Sequence, residues 1–312
     1  KVNKLNIASL KDVLGDMTLT NLLIEELDLS QINFNGNTLT LQCKQLNKIV
    51  GSETFNGSLF LLPKDCRLTE FTLEGISNIQ GDFQCKDYSY VKEFVMPFIR
   101  VAGDMTIALN SGSVNTAAEI EFPKLQEIGG TLTLGTNRNA NNITFPLLKK
   151  ILGSCSVTTY KLKNDIEFTN LESIGTDGAD EQIKFEIEAT NILCPKLKTI
   201  NGKFDIATSS FMFDMEVDKV SYPNVESISE NLSITCPYSD FGSNGILSID
   251  FSGLKSAKGI SISGQGDVTD FSSFKYLFEN NVLTGESQWS VKECGYNPTF
   301  QEMKDGKYKL AE

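Results

Sequence analysis

The chain alternates apolar and polar residues in short segments, and one such segment recurs along most of its length. The clearest copies fit the template F-P-x-L-x-x-I-x-G-x-L-x-I. One copy runs from Phe122 to Leu134, and another runs from Cys194 to Ile206. Because successive residues of a strand point to opposite faces, the L-x-I end of the template predicts one β-strand in each copy.

A second alternation precedes the template, as in Ile120-Glu-Phe122 and Ile143-Thr-Phe145. It predicts a second strand per copy, with the template's leucine and isoleucine pointing inward at the corner between the two strands. The glycine after this corner is expected to form a tight turn with positive φ. It occurs at positions 81, 103, 130, 153, 202 and 259.

Twelve copies can be placed, spaced by about 24 residues on average. The first residue of each copy, here called the aromatic slot, is Ile7, Leu29, Cys43, Leu73, Val95, Phe122, Phe145, Phe168, Cys194, Tyr222, Phe251 or Phe271. The step from Leu29 to Cys43 is too short for a full copy. Leu39-Thr-Leu41 can either close one coil or begin the next, and the sequence leaves this junction open.

Repeats of this kind bury their apolar residues only by stacking on their neighbours. The sequence therefore predicts a mainly β fold: a right-handed β-solenoid of about 12 coils with parallel sheets. We expect the solenoid to span residues 1–279. Residues 280–312 contain Trp289 and a short helix predicted between Pro298 and Gly306, and we expect them to form a C-terminal cap.

At these template residues the sequence resembles the receptor L-domain family of leucine-rich-repeat proteins. This family includes solenoids of growth-factor receptor ectodomains, fungal cell-wall proteins and surface proteins of Bacteroidetes. The resemblance covers roughly residues 5–277. It implies extracellular binding or adhesion at the cell surface or in a secreted form, and it transfers no catalytic residue. The chain begins at Lys1 rather than Met, which we interpret as a processed secretory protein or a trimmed chain.

Composition narrows the function classes. The 312 residues contain no histidine, which excludes Ser-His-Asp, Cys-His and HExxH chemistry. A formal charge of −12 disfavours nucleic acid as a partner. No apolar run approaches the roughly 20 residues of a transmembrane helix. We therefore expect a monomer that is not an enzyme and uses no cofactor, metal or transmembrane segment.

The seven cysteines fall into two groups. Four occupy inward template positions in coils that are not adjacent, which predicts buried free thiols. These are Cys43, Cys85, Cys155 and Cys194. Cys66, Cys236 and Cys294 lie outside the strand pattern, and the sequence leaves open whether two of them form a disulfide.

Two places are candidates for recognition. The outward residues of the template strand are small and polar, and such a row can bind a glycan or an extended polypeptide, although any solvated sheet shows the same pattern. They are Thr106, Thr133, Ser156, Glu186, Asp205 and Ser233. The apolar loop containing Phe211, Met212, Phe213 and Met215 either forms an exposed partner-binding patch or folds back over the solenoid.

Acidic residues suggest two further alternatives. Outward acids on the second strand, including Glu121, Glu167, Asp250 and Asp270, would need close pairing in a cleft to hydrolyse glycosides. Asp177, Asp180 and Glu181 either bind calcium or are simply solvated. The favoured interpretation is a non-catalytic recognition or adhesion scaffold for a protein or glycan. A passive surface module is the second reading, and a carbohydrate-active enzyme is the third.

Overall fold

The computed structural model describes residues 5, 7, 9–63, 68–87, 90–110, 118–137, 140–160, 165–178, 181–187, 191–208, 219–236, 248–266 and 268–311. The chain divides into two compact units. The first comprises Lys1–Gly153 and Lys161–Phe168, and the second comprises Ser154–Tyr160 and Thr169–Glu312. No described helix is both long and apolar enough to cross a membrane.

Thirty strands lie among the described residues. In chain order they are β1 (Met17–Thr20), β2 (Glu26–Asp28), β3 (Thr38–Gln42), β4 (Lys48–Val50), β5 (Thr54–Phe55), β6 (Ser58–Leu61), β7 (Thr72–Glu74), β8 (Asn78–Ile79), β9 (Phe83–Lys86), β10 (Glu93–Val95), β11 (Arg100–Val101), β12 (Met105–Asn110), β13 (Ala118–Glu121), β14 (Glu127–Ile128), β15 (Leu132–Asn137), β16 (Ala140–Thr144), β17 (Lys150–Ile151), β18 (Cys155–Tyr160), β19 (Ile166–Glu167), β20 (Ser173–Ile174), β21 (Glu181–Ile187), β22 (Ile192–Leu193), β23 (Thr199–Ile200), β24 (Gly202–Thr208), β25 (Lys219–Ser221), β26 (Ser227–Ile228), β27 (Asn231–Cys236), β28 (Ser248–Asp250), β29 (Gly259–Gly266) and β30 (Trp289–Cys294). The helices are α1 (Lys275–Glu279) and α2 (Phe300–Lys304), with short 3-10 helices at Ser272–Phe274 and Glu286–Gln288.

The strands of each unit fall into three sets, which we call long, back and corner strands. In the first unit the long strands pair in parallel in the order β1-β3-β6-β9-β12-β15. The back strands form the groups β2-β4-β7 and β10-β13-β16-β19, and the corner strands pair in the order β5-β8-β11-β14-β17. The chain runs from a back strand through a corner strand to a long strand in each regular turn.

The second unit repeats this arrangement. Its long strands pair in the order β18-β21-β24-β27-β29-β30, its back strands include the pair β25-β28, and its corner strands pair in the order β20-β23-β26. The chain is therefore mainly β, with parallel sheets stacked as a β-solenoid. The described residues contain twelve long strands but only eight corner strands, which gives about eight regular turns in place of the predicted twelve coils.

The aromatic slot forms a stack in the interior of the first unit. The rings of Phe122 and Phe145 lie 4.8 Å apart at 3°, and those of Phe145 and Phe168 lie 4.9 Å apart at 12°. All three residues are fully buried. The ring spacing equals the usual distance between paired strands, so the stack follows directly from parallel, in-register turns.

Two of the predicted slot residues are wrong. Val95 is half-buried and pairs with Glu121, whereas the next residue, Met96, is fully buried. The N–H of Met96 donates to the carbonyl of Glu121, as the N–H of Phe122 does to the next back strand. In the template the slot lies six residues before the corner isoleucine, but Met96 lies only five residues before Val101. The prediction counted six residues back from Val101 and therefore assigned the slot to Val95.

The second error is Cys43, which lies beyond the end of β3 and is buried in line with Leu39 and Leu41. Cys43 is therefore an inward residue of a long strand and not a slot. The next back strand is β4. Leu39-Thr-Leu41 thus closes the turn that passes through Leu29, and the open junction is resolved.

The corner glycines are required for space rather than for backbone conformation. Of the six, only Gly202 has positive φ, so the expected turn conformation is wrong for Gly81, Gly103, Gly130, Gly153 and Gly259. In the first unit these glycines stack on one another, with the N–H of Gly130 donating to the carbonyl of Gly103 at 2.9 Å. A Cβ at Gly130 would lie 2.8 Å from that carbonyl carbon, which leaves no room for a side chain.

The last strand and helix pack around the single tryptophan. Trp289 is 5% exposed, and its Nε1–H donates to the carbonyl of Pro298 at 2.8 Å. Its ring meets Phe274 and Phe278 edge to face. The predicted short helix is confirmed, although it begins at Phe300 rather than Pro298. The domain boundary at residue 279 stays a prediction.

The inward cysteines are buried as predicted. Cys43, Cys155 and Cys194 are free thiols in the interior, and Cys85 is buried as well. Desolvation by burial raises the pKa of Cys43, Cys155 and Cys194, which keeps these thiols protonated. Cys66 and the side chain of Cys236 lie outside the described residues, so the expectation about a disulfide is not tested there.

Candidate recognition face

The outward residues of the long strands line up from turn to turn, because the strands pair in parallel; among the described pairings the register shifts only beyond Ser263 in the pairing of β29 with β30. In the first unit this front row consists of Thr18, Thr40, Phe60, Gln84, Thr106 and Thr133. In the second unit it consists of Ser156, Lys184, Asp205, Ser233, Ser261 and Ser290. The structure thus places Thr106 and Thr133 in one row, and Ser156, Asp205 and Ser233 in the other. Their role in binding stays a prediction.

Glu186 does not belong to the front row, contrary to the prediction. Lys184 occupies that position, since it pairs with Ser156 on one side and with Asp205 on the other. Glu186 lies two residues further along β21, opposite Thr158. The L-x-I end of the template can be placed either on Ile183-Lys-Phe185 or on Phe185-Glu-Ile187. The two placements differ by two residues, so both point the same side chains inward, and the sequence does not distinguish between them.

Charged side chains in the second unit are paired with one another. Lys184 contacts Glu186, and the hydroxyl of Thr158 donates to Glu186 at 2.9 Å. Lys203 Nζ lies 2.8 Å from Asp205 Oδ2. The hydrogen bond from Lys184 lowers the pKa of Glu186, so this carboxyl is ionised at neutral pH and unsuited to act as a general acid.

The outward side chains within the long strands of the first unit are almost uncharged. Among the described outward side chains within its long strands, Lys86 carries the single charge. The others are Thr18, Thr20, Thr38, Thr40, Gln42, Ser58, Phe60, Gln84, Thr106, Ala108, Thr133 and Gly135. Asp82 and Asp104 lie just before β9 and β12. There they accept backbone N–H groups of the next turn at 2.8 and 2.7 Å.

The back strands of the first unit, unlike its long strands, carry carboxylates. Their carboxylates are Glu26, Asp28, Glu74, Glu93, Glu119, Glu121 and Glu167. Glu93 and Glu119 are directly paired in register, and Lys48 lies 3.8 Å from Glu26 and 3.3 Å from Glu74. The back strands therefore carry carboxylates, whereas no carboxylate lies within the described long strands of this unit.

Phe60 is a front-row residue that the sequence did not reveal. It lies in Ser58-Leu-Phe-Leu61, where Leu59 and Leu61 are fully buried and Phe60 is half-buried on the opposite face. No copy of the template covers this segment, and an apolar residue in an apolar run is ordinarily assigned to the core. Only pairing with Thr40 and Gln84 places it outside.

Most of the other predicted recognition and calcium-binding residues cannot be compared with the structure. Phe211, Met212, Phe213, Met215 and Asp180 lie outside the described residues. Asp177 is exposed, and Glu181 accepts a hydrogen bond from the hydroxyl of Ser154 at 2.6 Å. The parts of the chain that the structure describes contain no group of three or more Cys, Asp or Glu side chains able to hold a metal ion.

Asp250 and Asp270, which were considered as acids for glycoside hydrolysis, accept hydrogen bonds within local turns. Each accepts a backbone N–H two residues ahead, from Ser252 at 3.1 Å and from Ser272 at 2.7 Å.

The fold is a parallel β-solenoid, and within each unit a row of mostly polar side chains repeats from turn to turn. Comparison with protein-family models gives no match, and neither curated proteins nor solved structures give a significant match. The resemblance to leucine-rich L domains therefore stays a prediction.

Proposed function

We propose that the chain is a non-catalytic recognition or adhesion scaffold, secreted or held at the cell surface, that binds a protein or glycan partner. In this proposal it is a right-handed, leucine-rich, L-domain-like solenoid and acts as a monomer without a cofactor. The observation that supports binding is the front row. Small polar side chains repeat there in register, at about 4.8 Å per turn.

A repeating row favours an extended partner, because each turn offers similar hydrogen-bonding groups at the same spacing. The absence of histidine removes the commonest general base, and Glu186 is held ionised by Lys184. These features support binding without chemistry.

A passive structural module is the second candidate. The ion pairs of Lys184 with Glu186 and of Lys203 with Asp205 leave these front-row charges satisfied within the protein. In the second unit this favours a face that is solvated rather than used for recognition.

The test is an array of glycans and extracellular proteins probed with the purified chain and with Thr133→Trp, which places a bulky group in the front row. Thr144→Trp is the matched control, since Thr144 is a half-buried outward residue of a back strand in the same unit. Binding lost in Thr133→Trp alone supports the scaffold. A folded chain that binds nothing on the array would overturn it and leave the passive module.

A further inference from the structure

We propose that Phe60, Thr40 and Gln84 form a subsite for a neutral polysaccharide, with the aromatic ring as a platform and its two neighbours as hydrogen-bonding partners. This inference rests on the proposed recognition function and names the class of ligand. The polymer would lie across the strands, along the front row of the first unit.

The geometry comes from three adjacent long strands. Phe60 in β6 pairs with Thr40 in β3 on one side and with Gln84 in β9 on the other. The inward residues Leu59 and Leu61 are fully buried, which fixes Phe60 on the outer face. The ring is half-buried, so part of it meets solvent among small polar groups.

The chemistry of these three side chains suits a sugar ring. An aromatic face is electron-rich and packs against the C–H groups of a pyranose, while hydroxyl and amide groups bind its hydroxyls. Thr40 offers a donor and an acceptor, and Gln84 offers two donors and an acceptor. Within the described part of the chain, neither side chain makes a hydrogen bond to protein, so both remain available to a ligand.

The distribution of charge selects a neutral ligand over a charged one. The chain carries −12, and in the first unit seven carboxylates lie on the back strands, whereas no carboxylate lies within the described long strands. An anionic polymer would be repelled by this net charge, and a basic protein would be drawn to the back-strand acids. Because the front row of the first unit carries no charged side chain, it is suited to an uncharged polymer that binds through hydroxyl groups.

The row is long enough for several sugar units. Six strands at about 4.8 Å spacing give a row of roughly 24 Å. Thr18, Thr106 and Thr133 continue the row on either side of the proposed subsite.

The experiment is titration calorimetry of the full chain with two neutral probes, a β-1,3-glucan hexasaccharide and a β-1,4-glucan hexasaccharide, and one anionic probe, an oligogalacturonate. The variants are Phe60→Ala, Phe60→Trp and the control Val95→Ala. Val95 is likewise half-buried and outward in the first unit, but it lies on a back strand. Circular dichroism and thermal unfolding establish that each variant is folded.

We expect at least one neutral hexasaccharide to bind, with a loss of about tenfold or more in Phe60→Ala, retention in Phe60→Trp and no change in Val95→Ala. Tighter binding of oligogalacturonate, or equal binding in folded Phe60→Ala, overturns the subsite. If Thr133→Trp still abolishes capture of a protein partner in that case, the recognition scaffold stands without the glycan subsite.

Discussion

At the corners of the regular turns in the first unit, glycine lies directly over glycine from Gly57 to Gly153. The backbone of one turn occupies the place where a side chain of the next would begin, and the N–H of Gly130 already bonds to Gly103. A single methyl group at this point must push two turns apart. The cost is therefore steric, and it falls on the contact between turns rather than on the glycine's own φ.

We expect Gly130→Ala to lower the free energy of unfolding by about 1–3 kcal/mol, since a Cβ would lie 2.8 Å from the carbonyl carbon of Gly103. Gly135→Ala is the control, because a Cβ there has nothing within 4 Å. Urea unfolding of both variants gives the comparison. Equal stability of the two variants would contradict the steric explanation.

Three buried ionisable groups lie in the second unit. Burial raises the pKa of Cys155, Cys194 and Tyr222, and the pKa of Tyr222 is raised further by the two thiols. The native chain holds these protons more tightly than the unfolded chain does. The contribution of these buried protonated groups to the free energy of unfolding is complete below the pKa of an unfolded thiol, about 8.5. This contribution is lost as pH rises above that value.

We therefore expect the free energy of unfolding to fall between about pH 8 and pH 10, and to fall less steeply in Cys155→Ala/Cys194→Ala. The measurement is urea unfolding across this range for both proteins under reducing conditions. The double variant is less stable at every pH because it leaves cavities, so the slopes are compared and not the absolute values. Parallel slopes would show that the thiols do not contribute.

At the scale of single strands, β1 differs from the other long strands of the first unit. Among the described strands it pairs with one neighbour, β3, and its inward residues Met17 and Leu19 are half-buried. By contrast, Met105 and Ile107 in β12 are fully buried between two neighbouring strands. Since each turn is stabilised by contacts with the turns beside it, β1 is stabilised by fewer contacts than β12.

Hydrogen exchange measured by mass spectrometry should show faster exchange in peptides covering β1 than in peptides covering β12. Equal protection of the two strands would mean that the first unit opens only as a whole. Partner binding along the front row should slow exchange in β1 if the ligand reaches the first turn.

The same strands show what the sequence could and could not predict. Alternation of apolar and polar residues was sufficient to predict the inward residues of β15 and β24, because each lies in a full copy of the template. The slot at Val95 was predicted wrongly because the corner there is one residue shorter than the template. The outward residue Glu186 was predicted wrongly because two placements of the template point the same side chains inward. Register is decided by bonds to the neighbouring turn, which local sequence does not contain.

The candidate site was harder to predict for a related reason. The polar members of the front row could be listed from the template, but Phe60 was not recognised because an apolar residue on the outer face looks like core. The predicted loop at Phe211–Met215 lies outside the described residues and stays a prediction.

At the scale of the whole chain, charge is distributed unevenly. In the first unit seven carboxylates lie on the back strands, while the six front-row residues carry no charge. A net charge of −12 makes copies of the chain repel one another and so opposes their association.

The register of the long strands also bears on how such a chain can change over evolutionary time. Each front-row residue stands at the same place in its turn, so duplicating one turn adds one more rung of the same kind without disturbing the others. Deleting a turn shortens the row by one rung. If the front row binds a partner as proposed, gene duplication or loss would lengthen or shorten the binding row by whole turns, and point mutation in the front row would change the affinity contributed by each turn.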